Sequence, residues 1–529
     1  VTSNDPNHSW DAIVLGGALS GASTALLLLR RNPRWRVLII EREPKFRRRV
    51  GESTVEVSAF FLGRVLGLTE HLNQHHLVKQ GMRFWFANDA TGDLSDCSET
   101  GPAYNVRLPG YQVDRAVLDE EVLARAVAAG ATLLRPARIR EVTLVPGGSQ
   151  TVTWQQTDGE AGSEHARWVI DASGVAALLA RKNGWLVPNS AHPIAAVWSR
   201  WSGVRNWDAR ELAERYPAWS RRAKGVRFTA TNHVVGRGWW SWWIPLKGGD
   251  FSVGVVYDQR LVALPAGGRM GERLERFLRQ HPAARELLEG ATWQEDDVHF
   301  RRDCAYRSTT YAGDGFVLVG DAAAFLDPFY SPGMDWISFT ASAAAALVHQ
   351  GLLGRAGPPE IARHNARFAT SYDRWFEAVY RDKYEYMGDH ELMTLAFRLD
   401  LGHYYIGVVS QPFGKGDEAL LTPAFARPGA GAAAALMALY NRRLAAIARC
   451  RWRRGTWGRR NSGSFVGFRS YQLDALLLPR ILLALGSWLG LELREGWRSW
   501  FAVPRPAAVP RAGAGRAPAR SSVPEAVEA

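Results

Sequence analysis

Three stretches of the 529-residue sequence predict an α/β protein built in three parts. Residues 12–30 read as an apolar strand (Ala12 to Leu15), a glycine turn and a helix pattern from Gly21, the opening of a doubly wound sheet. Residues 238–245, GWWSWWIP, alternate large side chains as a strand does. From about residue 351, apolar and aromatic residues recur at three- and four-residue spacing, the period of a helix. The expected class is therefore a Rossmann-like nucleotide-binding lobe, an inserted β-sheet lobe and a C-terminal helical region.

Composition bounds the function. At 47% hydrophobic and 22% charged residues the chain is globular, and its length suits two or more lobes around a deep site. The net charge of +13 comes with no zinc-finger or RNP-type signature, so no nucleic-acid partner is expected. The densest basic run, Arg442 to Arg460, precedes LDALLLPRILLALGSWLGLEL from Leu473, which Pro479 and Arg480 interrupt short of a bilayer span. A buried amphipathic helix pair is expected there, with peripheral membrane contact or an acidic carrier protein as the alternative. Cys97, Cys304 and Cys450 have no pairing or zinc spacing, and adjacent His75 and His76 are poorly spaced for chelation. No metal is expected, and a cytoplasmic location is, because the polar first ten residues show no secretory signal.

In the first element, DAIVLGGALSGASTALLLLRR is followed by a strand within RVLIIER that ends at Glu41. Gly16, Gly17, Ala18, Ser20 and Gly21 are the candidate pyrophosphate turn, and Glu41 the acid for a ribose hydroxyl. Against GxGxxG, Ala18 replaces the middle glycine, and its methyl pushes the phosphates outward slightly. The helix N-terminus still attracts the anion.

Later, FVLVGDAAAFLDPFYSPG (Phe316 to Gly333) reads as a buried strand ending in Gly320 and Asp321. An acid there accepts hydrogen bonds from a flavin's ribityl hydroxyls. With VIDASG (Val169 to Gly174) and YQVDRAVLD (Tyr111 to Asp119), the chain resembles the para-hydroxybenzoate hydroxylase-type FAD fold over roughly residues 10–350, in the branch of geranylgeranyl reductases and flavin-dependent halogenases. The resemblance implies FAD as cofactor, with Asp321 and Arg115 as contacts. No second nicotinamide-binding unit is visible, so reduced flavin is expected from a separate flavin reductase.

Within the tryptophan stretch, alternation places Trp240, Trp242 and Ile244 on one face and Trp239, Ser241 and Trp243 on the other, both buried. An aromatic-rich sheet core is the plain reading. Trp240-x-Trp242-x-Ile244-Pro245 also fits the WxWxIP motif of the flavin-dependent halogenases, and the chain resembles the tryptophan and phenol halogenases of that family. There it implies a partition that keeps organic substrate from the flavin. The same resemblance implies that VGEST, with Glu52 and Ser53, covers the flavin. It makes Lys79 in VKQGMRFWF the lysine that passes halogen to substrate, a residue whose pKa burial in an apolar tunnel would lower.

Two positions depart from that family. Its halide turn uses two backbone donors, one at the place of Pro332 and one at Gly333, and proline has no N–H. Tyr330 stands where tryptophan halogenases carry a glutamate, which argues against free tryptophan as substrate. Asp335 is expected to be structural, and Tyr380, Tyr384 and Tyr386 to be packing.

The expected organisation is an FAD lobe at 1–185 completed by 300–350, a sheet lobe at 186–299 helped by 81–103, a helical region at 351–503, and a mobile tail at 504–529 rich in Pro, Ala, Gly and Arg. The expected function is an FADH2- and O2-dependent halogenase using chloride or bromide on a small electron-rich aromatic, free or carrier-bound. An FAD monooxygenase or reductase on the same scaffold is the alternative, and a non-catalytic flavoprotein the third class.

Overall fold

The structure is a computed structural model and describes residues 10–500 apart from 224, 469 and 470, so the tail expected at 504–529 lies outside the described residues. Its first sheet has eight strands. A parallel path runs 316–318, 161–171, 10–15, 37–40 and 132–134, with an antiparallel meander of 137–143 and 150–156 beside 161–171. Strands Trp10–Leu15 and Val37–Ile40 are joined by the helix Leu19–Arg31. That helix packs on Arg115–Ala128 and Pro332–Leu352, so Val37–Ile40 is buried on both faces, as parallel strands are. Strand order reverses direction at Trp10–Leu15, whose other neighbour is Ala161–Asp171. The crevice beyond the carboxyl ends of these two strands is where such sheets take ligands.

The second sheet has nine strands, in the order 292–293, 194–202, 251–258, 239–245, 231–236, 82–86, 98–102 and 465–468, with 299–301 also paired to 194–202. The tryptophan strand Trp239–Pro245 lies near its middle, between Thr231–Gly236 and Phe251–Asp258. Its faces divide as the alternation predicts. Trp240, Trp242 and Ile244 join the core shared with the first lobe, while Trp239 and Trp243 belong to a separate core with Trp85, Trp201 and Trp207 beneath the helix Met270–Leu278. Gly254 sits opposite Trp242, and a Cβ there would lie 2.3 Å from the indole, so a side chain is excluded where two strands share one bulky ring. On the same sheet Glu99 receives Arg227 through Nε and Nη2, both at 2.9 Å, and also Arg83, all three buried.

The C-terminal region differs from expectation in two ways. It contributes a strand, Phe465–Phe468, paired parallel to Ser98–Pro102; four residues with a glycine are too few to establish a helical period. In place of a buried helix pair there is one helix, Leu477–Arg494, packed on His390–Tyr404 by Leu477, Ile481, Ala484, Trp488 and Leu491. Pro479 does not interrupt it, because it falls in the first turn, where the missing N–H would have no partner anyway. Among the described residues no helix is long and apolar enough to cross a membrane.

Candidate active site

The glycine turn is fixed sterically. Gly16 has φ +101°, and a Cβ on Gly21 would lie 1.9 Å from the Gly16 carbonyl oxygen, so only glycine allows the helix to start this close to the strand. Ala18 is the N-cap of Leu19–Arg31, with no side-chain cap and no acid in the first turn, leaving N–H groups free for an anion. Ser20 is buried in that turn and meets Gly320, so the late strand end is packed onto the glycine turn. The Glu41 carboxylate accepts from Gly17 N at 2.7 Å and Glu43 N at 2.8 Å.

Asp321 follows Gly320. Its carboxylate accepts no hydrogen bond among the described residues, and burial raises its pKa against the pull of Arg301 and Arg115. A half-buried acid without donors among the described residues, beside a helix start without a side-chain cap, suits a flavin dinucleotide's hydroxyls and pyrophosphate. The site therefore fits FAD. Arg115 is largely committed within the protein: Nε and Nη2 bind Asp119 at 2.9 and 3.2 Å, and Nη1 donates to Val50 O at 3.3 Å, bracing the segment that carries Glu52 and Ser53.

Lys79 ends the short strand Leu77–Lys79 and is buried. Its Nζ donates to Ser53 Oγ and Thr54 O, both at 2.8 Å, and Ser53 Oγ also meets Thr231 Oγ1 at 2.9 Å. Burial lowers the Lys79 pKa to about 8, opposed by the charges of Glu56 and Asp335. Those acids are themselves raised by burial, Asp335 to about 7. Glu56 accepts from Tyr405 Oη, and Asp335 from Tyr404 Oη and Ser58 N, at 2.7 to 2.8 Å. Asp335 thus ties the helix Pro332–Leu352 to the helix Glu56–Phe60.

The indoles of Trp240 and Trp242 are held by separate polar chains. Trp240 Nε1 donates to Tyr384 Oη at 2.9 Å, Tyr384 Oη donates to Asp327 Oδ2 at 2.9 Å, and His192 Nε2 meets the same oxygen at 2.6 Å. Tyr384 is therefore more than packing: its hydroxyl fixes Trp240. Trp242 Nε1 donates to Ser252 Oγ at 3.0 Å, Ser252 bonds Glu52, and Glu52 is paired with Arg200 at 2.6 Å. Burial holds the Glu52 pKa up at about 7 against Arg200. Ile244 and Pro245 complete the strand, Pro245 at its end opposite Phe251.

Phe329 packs against Trp240 with ring centres 5.1 Å apart. Behind it Tyr330 and Ser331 are left-handed, at φ +69° and +58°, a strained pair in non-glycine residues. They lead into Pro332 and Gly333, the first two residues of the helix to Leu352, where Gly333 has open space around it. Tyr330 Oη donates to Asp400 Oδ2, which is also paired with buried Lys383.

The structure thus brings Lys79, Glu52 and Ser53 together with the tryptophan face, and brings Asp321 and Ser20 to the glycine turn. Sequence reading missed Glu56, His233, Ser252 and Tyr384. Glu56 lines an open cavity of about 520 Å3 with Phe60, Tyr111 and Phe413. His233, on the same face as Thr231, lies 5.5 Å from Trp240 with its Nδ1 unpaired among the described residues, and burial lowers its pKa to about 3. The alternation of its strand was the available signal; the partners of the indoles, distant in sequence, left none.

Comparison with known proteins agrees with this geometry. The family model for tryptophan halogenase matches residues 94–382. A flavin-dependent halogenase of Armillaria mellea is 27% identical over 391 residues, covering 70% of this chain and 73% of that protein. One of Dictyostelium discoideum is 28% identical over 371 residues, 64% of this chain and 59% of the other. Among solved structures, halogenase PltM in complex with phloroglucinol and FAD superposes with a TM-score of 0.71 at 18% identity, over 91% of this chain and 97% of its own. The myxobacterial chondrochloren halogenase CndH gives 0.58 at 24%, over 70% and 82%. At these identities the structural likeness bears on the fold.

Proposed function

The chain belongs to the tryptophan halogenase family and is a flavin-dependent halogenase, and from that premise we propose that it halogenates a small electron-rich aromatic through Lys79. When bound as FADH2 supplied by a separate flavin reductase, the cofactor would convert chloride or bromide and O2 into hypohalous acid. The residues of Gly16–Gly21 hold its pyrophosphate, Glu41 and Asp321 its hydroxyls, Arg115 steadies the covering segment, and Glu52 and Ser53 lie over it. Gly333 N supplies a donor for the halide. Trp240, Trp242, Ile244 and Pro245 keep the aromatic away from the flavin. Lys79 holds the hypohalous acid on the substrate side and orients its halogen. The site works in a reducing cytoplasm, which suits the three free cysteines.

The observation that supports this reading best is Lys79 itself. An amine that donates to two acceptors among the described residues, and whose proton burial loosens, is placed to hold an electrophilic halogen, a task that oxygen insertion and hydride transfer do not set. The test supplies protein with FAD, a flavin reductase, NADH, O2 and either halide, and follows small phenols and pyrroles together with a hypohalite trap. Halide-dependent product that disappears in Lys79→Ala is the expected result. Flavin oxidation with peroxide release and no halogenated product under either halide would sink it.

A further inference from the structure

The helix Leu477–Arg494 buries one face and leaves the other bare. Leu476, Leu478, Leu482, Leu483, Leu489 and Leu493 all stand outward, Leu483 at 67% and Leu493 at 81% exposure, followed by Trp500 at 73%. Pro479, Gly486 and Gly490 fill the spaces between them, and a Cβ on either glycine would meet nothing. The outward surface therefore holds no acid along about 27 Å of helix. Single exposed leucines are ordinary on a protein surface; a continuous stripe of this length marks a binding face.

Charge says what the face meets. The acids of this segment are already engaged by arginines: Asp474 by Arg480, Glu492 by Arg443 and Glu495 by Arg451. Arg480 and, about four turns on, Arg494 lie on one margin of the stripe, but Asp474 and Glu391 meet their charges, so among the described residues Arg498 is the cation left uncommitted beside it. Arg498 follows with its guanidinium 5.1 Å from the ring of exposed Trp497. Apolar stripe, arginine margin and terminal indoles form the pattern of a helix lying in a lipid interface. A second copy would bring another Arg498 to a face whose acids are already paired. Residues 501–529 carry four arginines against two glutamates and offer no better complement.

We propose that this helix docks the protein on an anionic lipid surface, lying in the interface plane without crossing it. The helix it packs on, His390–Tyr404, continues through 405–409 into Ser410–Lys415, whose Pro412 and Phe413 line the open cavity beside Glu56. Docking would bring that cavity near membrane-partitioned aromatics.

The test floats the full chain with phosphatidylcholine vesicles containing or lacking phosphatidylglycerol, at low and high salt, and needs no halogenating activity. Co-flotation with the phosphatidylglycerol vesicles, weakened by salt, is expected. The variant Leu482→Ser/Leu489→Ser/Leu493→Ser, altered only at outward positions, should bind at least a hundredfold less with unchanged thermal unfolding. Arg498→Glu should weaken binding severalfold if the triple variant fails to fold. Absence of flotation with either vesicle overturns the proposal, as does flotation that neither variant changes. A dimer dissociated by the triple variant, without vesicle binding, would overturn it too and assign the face to a second copy.

Discussion

Replacing Lys79 with methionine removes a buried amine while nearly keeping its volume, and the consequence is readable from stability alone. Burial lowers its pKa from 10.5 to about 8. At about 1.4 kcal/mol per pH unit, the folded state bears roughly 3 kcal/mol against the ammonium. The folded pKa lies below the unfolded one, so between about pH 8 and 10.5 the unfolded chain holds a proton that the folded chain has released. Stability therefore rises with pH through that window by up to about 1.4 kcal/mol per unit, and below it the full penalty stands. Urea unfolding of wild type and Lys79→Met at pH 7.5 to 10.5 reads this contribution; removing the ammonium also raises Glu56 and Asp335, which costs the variant stability as pH rises and shifts the difference in the same direction. The wild type should gain roughly 3 kcal/mol on the variant across the window. Parallel profiles would refute the reasoning, placing Lys79 in contact with water.

Four further outcomes follow from the same contacts. Gly21→Ala puts a methyl 1.9 Å from the Gly16 carbonyl, so the protein should lose FAD on gel filtration, read from flavin absorbance. Pro332→Ala restores an N–H at the start of the helix to Leu352, and the apparent KM for chloride should fall about tenfold, the worth of one hydrogen bond to a charged partner. Tyr384→Phe frees Trp240 Nε1 from its acceptor, and the share of reduced flavin consumed without halogenated product should rise. Glu99→Gln leaves Arg83 and Arg227 buried without a counter-charge, which should cost about 3 to 5 kcal/mol in denaturant unfolding.

What the sequence made legible depends on the range of the contact that enforces it. The glycine turn is a local steric demand, since Gly21 touches Gly16, and a five-residue spacing carries it whole. The two faces of Trp239–Pro245 follow from pleat alone. Pro479 misled because its effect depends on where a helix begins, and a periodic pattern fixes element ends poorly. An apolar run likewise does not say which leucines a neighbour will cover, so the bare face of Leu477–Arg494 became visible only once His390–Tyr404 had claimed the other side.

The same limit bears on the chemistry. The motifs from Glu52 to Trp242 carry the site residues proposed above. The groups that set the charges around them come from farther along: the Tyr404 hydroxyl donates to Asp335, the Tyr405 hydroxyl to Glu56, and the Asp400 carboxylate accepts from Tyr330 and pairs with Lys383. Tyr404, Tyr405 and Asp400 lie beyond residue 382, and Glu52, Glu56 and Lys79 before residue 94, so the family match over 94–382 holds neither group. Because burial without these donors would raise Glu56 and Asp335 further, the field that Lys79 feels is tuned by a region the motifs do not describe. Differences in substrate between this chain and its relatives are therefore to be sought in residues 383–440, which pack against the cavity side of the site, rather than in the tryptophans.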